Sequence, residues 1–266
     1  MNIIISLLIA SFLFVSPTQK VNFAVIGDYG LAGIAEEQVM NLVDSKEPDF
    51  VVTVGDNNYP LGEAATIETN VGKYYGKYLP DRFFPSLGNH DWEQPNAQPY
   101  LDYFELPGNE RYYDVIKGPV HLFIIDSDPR EPDGVTSTSV QAQWLQQRLA
   151  QSTARWQLVF FHHAPYSSGV HGNSVWMQWP FRDWGVDAVV TGHDHHYERL
   201  SVDGIPYFVN GSGGRGLRTI PNVAPQSVVR YNGDFGAMFI KAIANKSLEF
   251  SFFNRQGTLI DRFIMN

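Results

Sequence analysis

The chain of 266 residues contains no cysteine, so neither a disulfide framework nor a cysteine-linked lipid anchor is available, and cysteine usage leaves its redox compartment open. Positive charge is also scarce: 19 Lys and Arg stand against 28 Asp and Glu, a net charge of -9, with no basic tract. Nucleic acids and anionic membranes both need clustered Lys and Arg, so neither is expected as a partner. A phosphate-bearing ligand would have to be drawn by local positive charge, which bound cations can supply. There is no repeat, low-complexity tract or charge run. No strand leads into the Gly-x-Ser-x-Gly elbow that a serine hydrolase would want. Gly211-Ser212-Gly213-Gly214 lacks the Lys-Ser/Thr ending of a nucleotide phosphate loop and reads instead as a loop at the rim of a site.

Apolar residues are plentiful. A hydrophobic share of 44% against 18% charged suits a chain with a sizeable core and argues against disorder. The run Ile3 to Val15, broken by Ser6 and Ser11 and followed by Ser16, Pro17 and Thr18, resembles a signal peptide. It is too short for a comfortable membrane span, so residues 1–19 are expected to direct export. The mature protein would be secreted or periplasmic, on the envelope side, with no stable membrane insertion. Nothing in the sequence sets its oligomeric state.

From Lys20 onward, short apolar runs alternate with longer amphipathic ones, the pattern of an α/β domain. Strands are expected at Val21 to Ile26, Phe50 to Val54, Phe83 to Leu87, His121 to Ile125, Trp156 to Phe161 and Ala188 to Thr191. Helices are expected over Gly33 to Val43, near Thr66 to Tyr78 and over Ser139 to Ala150. After Gly192 the pattern changes to hairpins, with Asp203-Gly204 as a two-residue turn between Tyr197 to Val202 and Ile205 to Val209. Met238 to Ile243, Leu248 to Phe253 and Thr258 to Ile264 then read as a meander that completes a second sheet. The expected architecture is one α/β domain over residues 20–266: two mixed sheets packed face to face, with helices outside.

Five segments end an apolar strand with metal-capable side chains: Gly27-Asp28-Tyr29-Gly30, Gly55-Asp56-Asn57-Asn58-Tyr59, Gly88-Asn89-His90-Asp91, His162-His163-Ala164-Pro165 and Gly192-His193-Asp194-His195. Ligands of open α/β sheets sit beyond the carboxyl ends of the strands, so these clusters should converge. Each alone has a bland explanation: an Asp after a strand usually makes a turn, and a lone Tyr is usually a half-buried aromatic. Together they outweigh it. Two ions that bridge a phosphate need a shared ligand, and a carboxylate has two oxygens with which to serve, which makes Asp56 the natural bridge. Imidazoles suit zinc and iron, whereas a phenolate such as Tyr59 favours a strongly acidic ion and makes ferric iron a candidate.

The five segments, in order from Asp28 to His195, resemble the signature of the calcineurin-like metallophosphoesterase superfamily. The step from Asp56 to Tyr59 is similar to that of purple acid phosphatases, in particular the short, tartrate-resistant form. The resemblance implies Asp28, Tyr59 and His195 as ligands of a ferric ion, with Asp56 bridging to a divalent Fe2+, Zn2+ or Mn2+ ion. Asn89, His162 and His193 would hold that second ion. Strand spacing from Val159, and the distance to Tyr166, select His162, while the family's usual proline two residues after this histidine would select His163. His90 and His171 resemble the family's phosphate-contacting histidines, one of which would protonate the leaving alkoxide. Asp91 reads as an orienting partner for His90, and Asp194 as structural.

The implied reaction is hydrolysis of a small phosphate monoester by in-line attack of a metal-bound hydroxide on phosphorus. The rivals are a phosphodiesterase or nucleotide hydrolase on the same scaffold, and a non-catalytic protein that binds metal or a phospho-ligand.

Overall fold

The computed structural model describes residues 19–266; the leader expected over residues 1–19 lies outside them but for Gln19. The chain enters on β1 (Lys20–Ile26), passes through α1 (Ile34–Ser45) and returns on β2 (Phe50–Thr53), which lies parallel to β1. A short β3 (Phe83–Phe84) follows, then β4 (Tyr113–Lys117), β5 (Val120–Ile124), α2 (Val140–Gln151), β6 (Trp156–Phe160) and β7 (Ala188–Thr191). The hairpin β8 (Tyr197–Val202) and β9 (Ile205–Asn210) turns at Asp203-Gly204. β10 (Ser227–Tyr231), β11 (Gly236–Ile243), β12 (Ser247–Asn254) and β13 (Leu259–Met265) complete the chain.

The strands form two mixed sheets, one of six strands in the order β13-β12-β11-β1-β2-β3 and one of seven in the order β10-β8-β9-β7-β6-β5-β4. Their inner faces share one core in which Val25, Val52 and Met238 meet Leu122, Leu158 and Phe208. Phe208 stacks on Phe250 at 4.7 Å and Tyr197 on Phe252 at 4.2 Å, so aromatic pairs join the sheets. On the outer face of the first sheet, Val39, Leu42 and Val43 of α1 pack on Ala24, Ile26 and Val51. On that of the second, Ala142, Leu145 and Leu149 of α2 pack on Phe123, Val159 and Val189. This gives the expected helix, sheet, sheet, helix layering. It also explains why central strands such as β2, buried at every residue, show no alternation. Among the described residues, no helix is long and apolar enough to cross a membrane.

The C-terminal meander differs from expectation. It extends the first sheet, because β11 pairs antiparallel with β1 from Lys20 opposite Ile243 to Val25 opposite Met238. The helix expected near Thr66 to Tyr78 is broken into short pieces around a π-helical stretch, Glu68–Gly72. That wide turn aims Asn70 at the segment carrying Tyr59: its Nδ2 donates to Asn58 Oδ1 at 2.8 Å and to Tyr59 O at 2.9 Å. α2 starts one residue later than expected, since Ser139 is its N-cap and accepts from Ala142 N.

Candidate metal centre

Asp28, Asp56 and Asn89 follow β1, β2 and β3 of the six-stranded sheet, whereas His162, His193 and His195 follow β6 and β7 of the other. The parallel strands end on the same side, and these six side chains meet there together with that of Tyr59. Asp28, Asp56 and His193 have positive φ (54°, 54° and 69°), a region that side-chain-bearing residues seldom occupy and that clusters at functional sites. Gly88 lets the third segment close in, since a Cβ there would lie 2.3 Å from Asp56 Oδ1.

The donor atoms fall into two sets. In the first, Tyr59 OH lies 2.6 Å from Asp56 Oδ2, 3.3 Å from Asp28 Oδ1 and 3.4 Å from His195 Nε2. In the second, His162 Nε2 lies 3.4 Å from Asp56 Oδ1, 3.0 Å from Asn89 Oδ1 and 3.2 Å from His193 Nδ1. One oxygen of Asp56 faces each set. Outer contacts orient the rings: His195 Nδ1 donates to Gly216 O at 2.7 Å and His162 Nδ1 to Val54 O at 2.9 Å, which leaves each Nε2 as a lone-pair donor facing inward. His193 N donates to Asp28 Oδ2.

Electrostatics suit cations. Asp28 and Asp56 are fully buried, a costly state for carboxylates without compensating charge. Burial raises the Tyr59 phenol well above its ordinary range, and the Asp56 and Asp28 carboxylates raise it further, so its use as a phenolate requires a strong positive charge. Burial among other imidazoles keeps His193 neutral, the form that binds metal. The two sets therefore fit two ions chemically.

The neighbouring histidines differ from one another. His163 Nδ1 pairs with Ser127 Oγ at 2.9 Å, and burial lowers its ring to about 3. It nevertheless belongs to a group with His162 and His193 in which one nitrogen from each lies within 4.8 Å of the others. His90 Nδ1 donates to Pro60 O at 2.6 Å, so its Nε2, 4.0 Å from Asp56 Oδ2, is turned toward the site. Asp91 does not orient His90 as expected. Its carboxylate accepts from Gly88 N, Asn57 N and Asn57 Nδ2, because those buried donors surround it. Asp194 accepts from His171 N and Ser167 Oγ and so holds the loop that carries His171. His171 stacks on His193 at 4.1 Å between ring centres, but its Nε2 is engaged by Arg218 and does not point freely into the site. Arg218 and Arg215, on the glycine-rich loop read as a rim, lie outside the strand-end clusters and had no motif to mark them.

Two donor sets at the carboxyl ends of paired β-sheets define a metallophosphoesterase. The calcineurin-like phosphoesterase family profile matches residues 21–197, and the chain belongs to that family. It is 25% identical to purple acid phosphatase 17 of Arabidopsis thaliana, over 94% of this chain and 87% of that one. It is 23% identical to tartrate-resistant acid phosphatase type 5 of Mus musculus, over 78% of each. A purple acid phosphatase from yellow lupin seeds superimposes with a TM-score of 0.76 at 18% identity, covering 93% of this chain and 54%, about half, of the lupin one. GAP50, the anchor in the inner membrane complex of Plasmodium, does so with 0.75 at 19%, over 93% and 89%. These two likenesses show the fold alone. With acid phosphatases as its relatives, the protein is a metal-dependent phosphatase.

Proposed function

We propose that the protein hydrolyses small phosphate monoesters with a dinuclear centre of the purple acid phosphatase kind. The same fold serves an anchor protein, so the fold does not carry this reading. The observation that does is the Asp56 carboxylate, with one oxygen in each donor set. Asp28, Tyr59 and His195 would hold a ferric ion with Asp56, and Asn89, His162 and His193 a divalent one, Fe2+, Zn2+ or Mn2+. His162 is preferred to His163 because its Nε2 faces Asn89 and Asp56, while the Nδ1 of His163 is taken by Ser127. When bound, the ions supply positive charge to the phosphoryl oxygens and acidify water for in-line attack.

His90 would supply the proton for the leaving alkoxide from Nε2 in its imidazolium form, in which Nδ1 still donates to Pro60 O. His171 is a positioning residue in this reading, stacked on His193 and tied to Arg218. The apolar leader outside the described residues supports export.

The test is turnover of p-nitrophenyl phosphate against its bis ester, with metal analysis and a visible spectrum of the same sample. Monoester preference, two metals per chain and a charge-transfer band that Tyr59→Phe bleaches are expected. Diester preference would make the protein a phosphodiesterase, and metal without turnover a binding protein. Two divalent ions and no band after mild oxidation would remove the iron assignment alone.

A further inference from the structure

The turn from Asn89 to Trp92 carries Asn89 Oδ1 of the second donor set and His90 Nε2, yet the strand that leads into it, β3, is only two residues long. A metal site needs its side chains held to about 0.5 Å, which so short a strand cannot secure alone. On its inner side the turn is closed by Asp91 N and Trp92 N, which donate to Gly88 O, and by His90 N, which donates to Asp56 Oδ1 at 3.0 Å. Its outer side is gripped from the other sheet. Arg130, on the loop that follows β5, donates from Nη2 to Asn89 O at 3.0 Å and from Nη1 to Trp92 O at 2.9 Å. Asp128 braces the guanidinium, accepting from Nε at 2.7 Å and from Nη2 at 2.9 Å. Asp128 is buried, and its N donates to Asp126 Oδ1, while Asp126 Oδ2 accepts from Trp92 Nε1 at 2.8 Å. Between the two carboxylates, Ser127 Oγ accepts from His163 N at 2.9 Å. One loop therefore ties the Asn89 turn of the six-stranded sheet to the segment that carries His162 in the other.

We propose that Arg130 is a positioning residue for the second metal site: braced by Asp128, it holds the carbonyls of Asn89 and Trp92 and so sets Asn89 Oδ1 toward His162 Nε2. The inference rests on the dinuclear reading and deepens it. Arg130 reaches the turn through backbone carbonyls, so it acts through Asn89. An amide oxygen has no net charge with which to draw an ion from a distance, so its contribution depends on where it is held. A planar guanidinium can meet a carboxylate and two carbonyls at once, whereas a lysine ammonium is a point charge without that fork. The Arg130 side chain is 44% exposed, so substitution there leaves the core intact.

The experiment follows Zn2+ binding to chelator-treated protein by calorimetry in wild type, Arg130→Lys and Arg130→Ala, each also in an Asn89→Ala background. One of two zinc sites should weaken by about 10- to 100-fold in both Arg130 variants, as when an outer partner of a ligand is lost, and the other by less than about threefold. In Asn89→Ala, the same substitutions should weaken zinc by less than about threefold further, because the side chain that Arg130 places is gone. A merely structural role would not vanish in that background. Amide hydrogen exchange of the metal-free protein should quicken by about tenfold over residues 88–93 in Arg130→Lys, from the loss of charge-assisted hydrogen bonds. Equal weakening of both sites, wild-type zinc binding in Arg130→Lys, or an undiminished effect in Asn89→Ala would overturn the assignment. If the wild type takes up fewer than two Zn2+, the dinuclear reading fails. Exchange over residues 88–93 then decides whether Arg130 holds the turn: quickening supports it, and an unchanged rate overturns it.

Discussion

Asp91 and His90, adjacent in sequence, divide structural and chemical work in a way that spacing alone could not assign. The Asp91 carboxyl is buried under Gly88 and Asn57 and is raised to about 7, by burial first and by Asp56 second. His90 is oriented by a carbonyl from another segment, Pro60. If its Nε2 delivers the proton to the leaving group, His90→Ala should lower kcat by about 10²- to 10⁴-fold on alkyl phosphates. Nitrophenyl phosphate, whose leaving group needs little help, should suffer much less. Equal losses on the two substrates would make His90 a binding or orienting residue. That these side chains gather at one end of the two sheets was legible from sequence, because metal chemistry restricts residue types and strand ends restrict places. The Asp91 partners, the Arg218 contact with His171 and the Arg215 approach to Tyr59 were not, since each joins segments whose proximity no local pattern encodes.

Among the elements, strands whose apolar runs are covered on both sides were readable, and the exceptions are instructive. β4 and β10 escaped because they are the edges of the seven-stranded sheet, with half-exposed residues and no buried run. The partner of the meander escaped because β11 finds β1 across nearly the whole chain. α1 was readable from its apolar spacing, but not the cost it carries. Glu36 in its first turn is fully buried, and neither carboxylate oxygen has a hydrogen-bond partner among the described residues. Burial pushes this carboxyl up to about 9, against an opposing pull from Lys73. Between its ordinary value of 4.5 and about 9, the folded protein holds a proton that the unfolded chain has released, so this group's contribution to stability falls as pH rises. Glu36→Gln, neutral throughout, should remove that slope. Urea unfolding is expected to show the variant close to wild type near the ordinary carboxyl pKa and more stable at mildly alkaline pH. Parallel curves for the two proteins would mean that Glu36 is ionised in the fold.

At the scale of the whole molecule, the donor sets draw on both sheets, so bound ions would join the two halves of the sandwich. Ligands that bind only the folded state stabilise it by mass action, about 2.7 kcal/mol at a hundred times Kd. Carboxylates and imidazoles also face each other directly across the two sheets: His195 Nε2 lies 3.3 Å from Asp28 Oδ1 and His162 Nε2 3.4 Å from Asp56 Oδ1. Burial alone would lower both rings, but those carboxylates carry them above the ordinary 6.5. Their contribution is full below 6.5 and is lost as pH rises through the folded values. His163 and His193 shift down, chiefly by burial, so theirs is full above 6.5 and is lost as pH falls. The histidines of the metal-free protein therefore contribute most near 6.5. Ion binding, which uses neutral imidazole, strengthens with pH over the range where the metal-free pairs weaken. Chelation should accordingly lower Tm little near pH 5 and progressively more above 6.5, reaching about 5–10 °C where the ions are present at about a hundred times Kd. Thermal melts with and without chelator across that range test this, and a Tm difference that is absent or independent of pH would show that the ions do not join the sheets through these imidazoles.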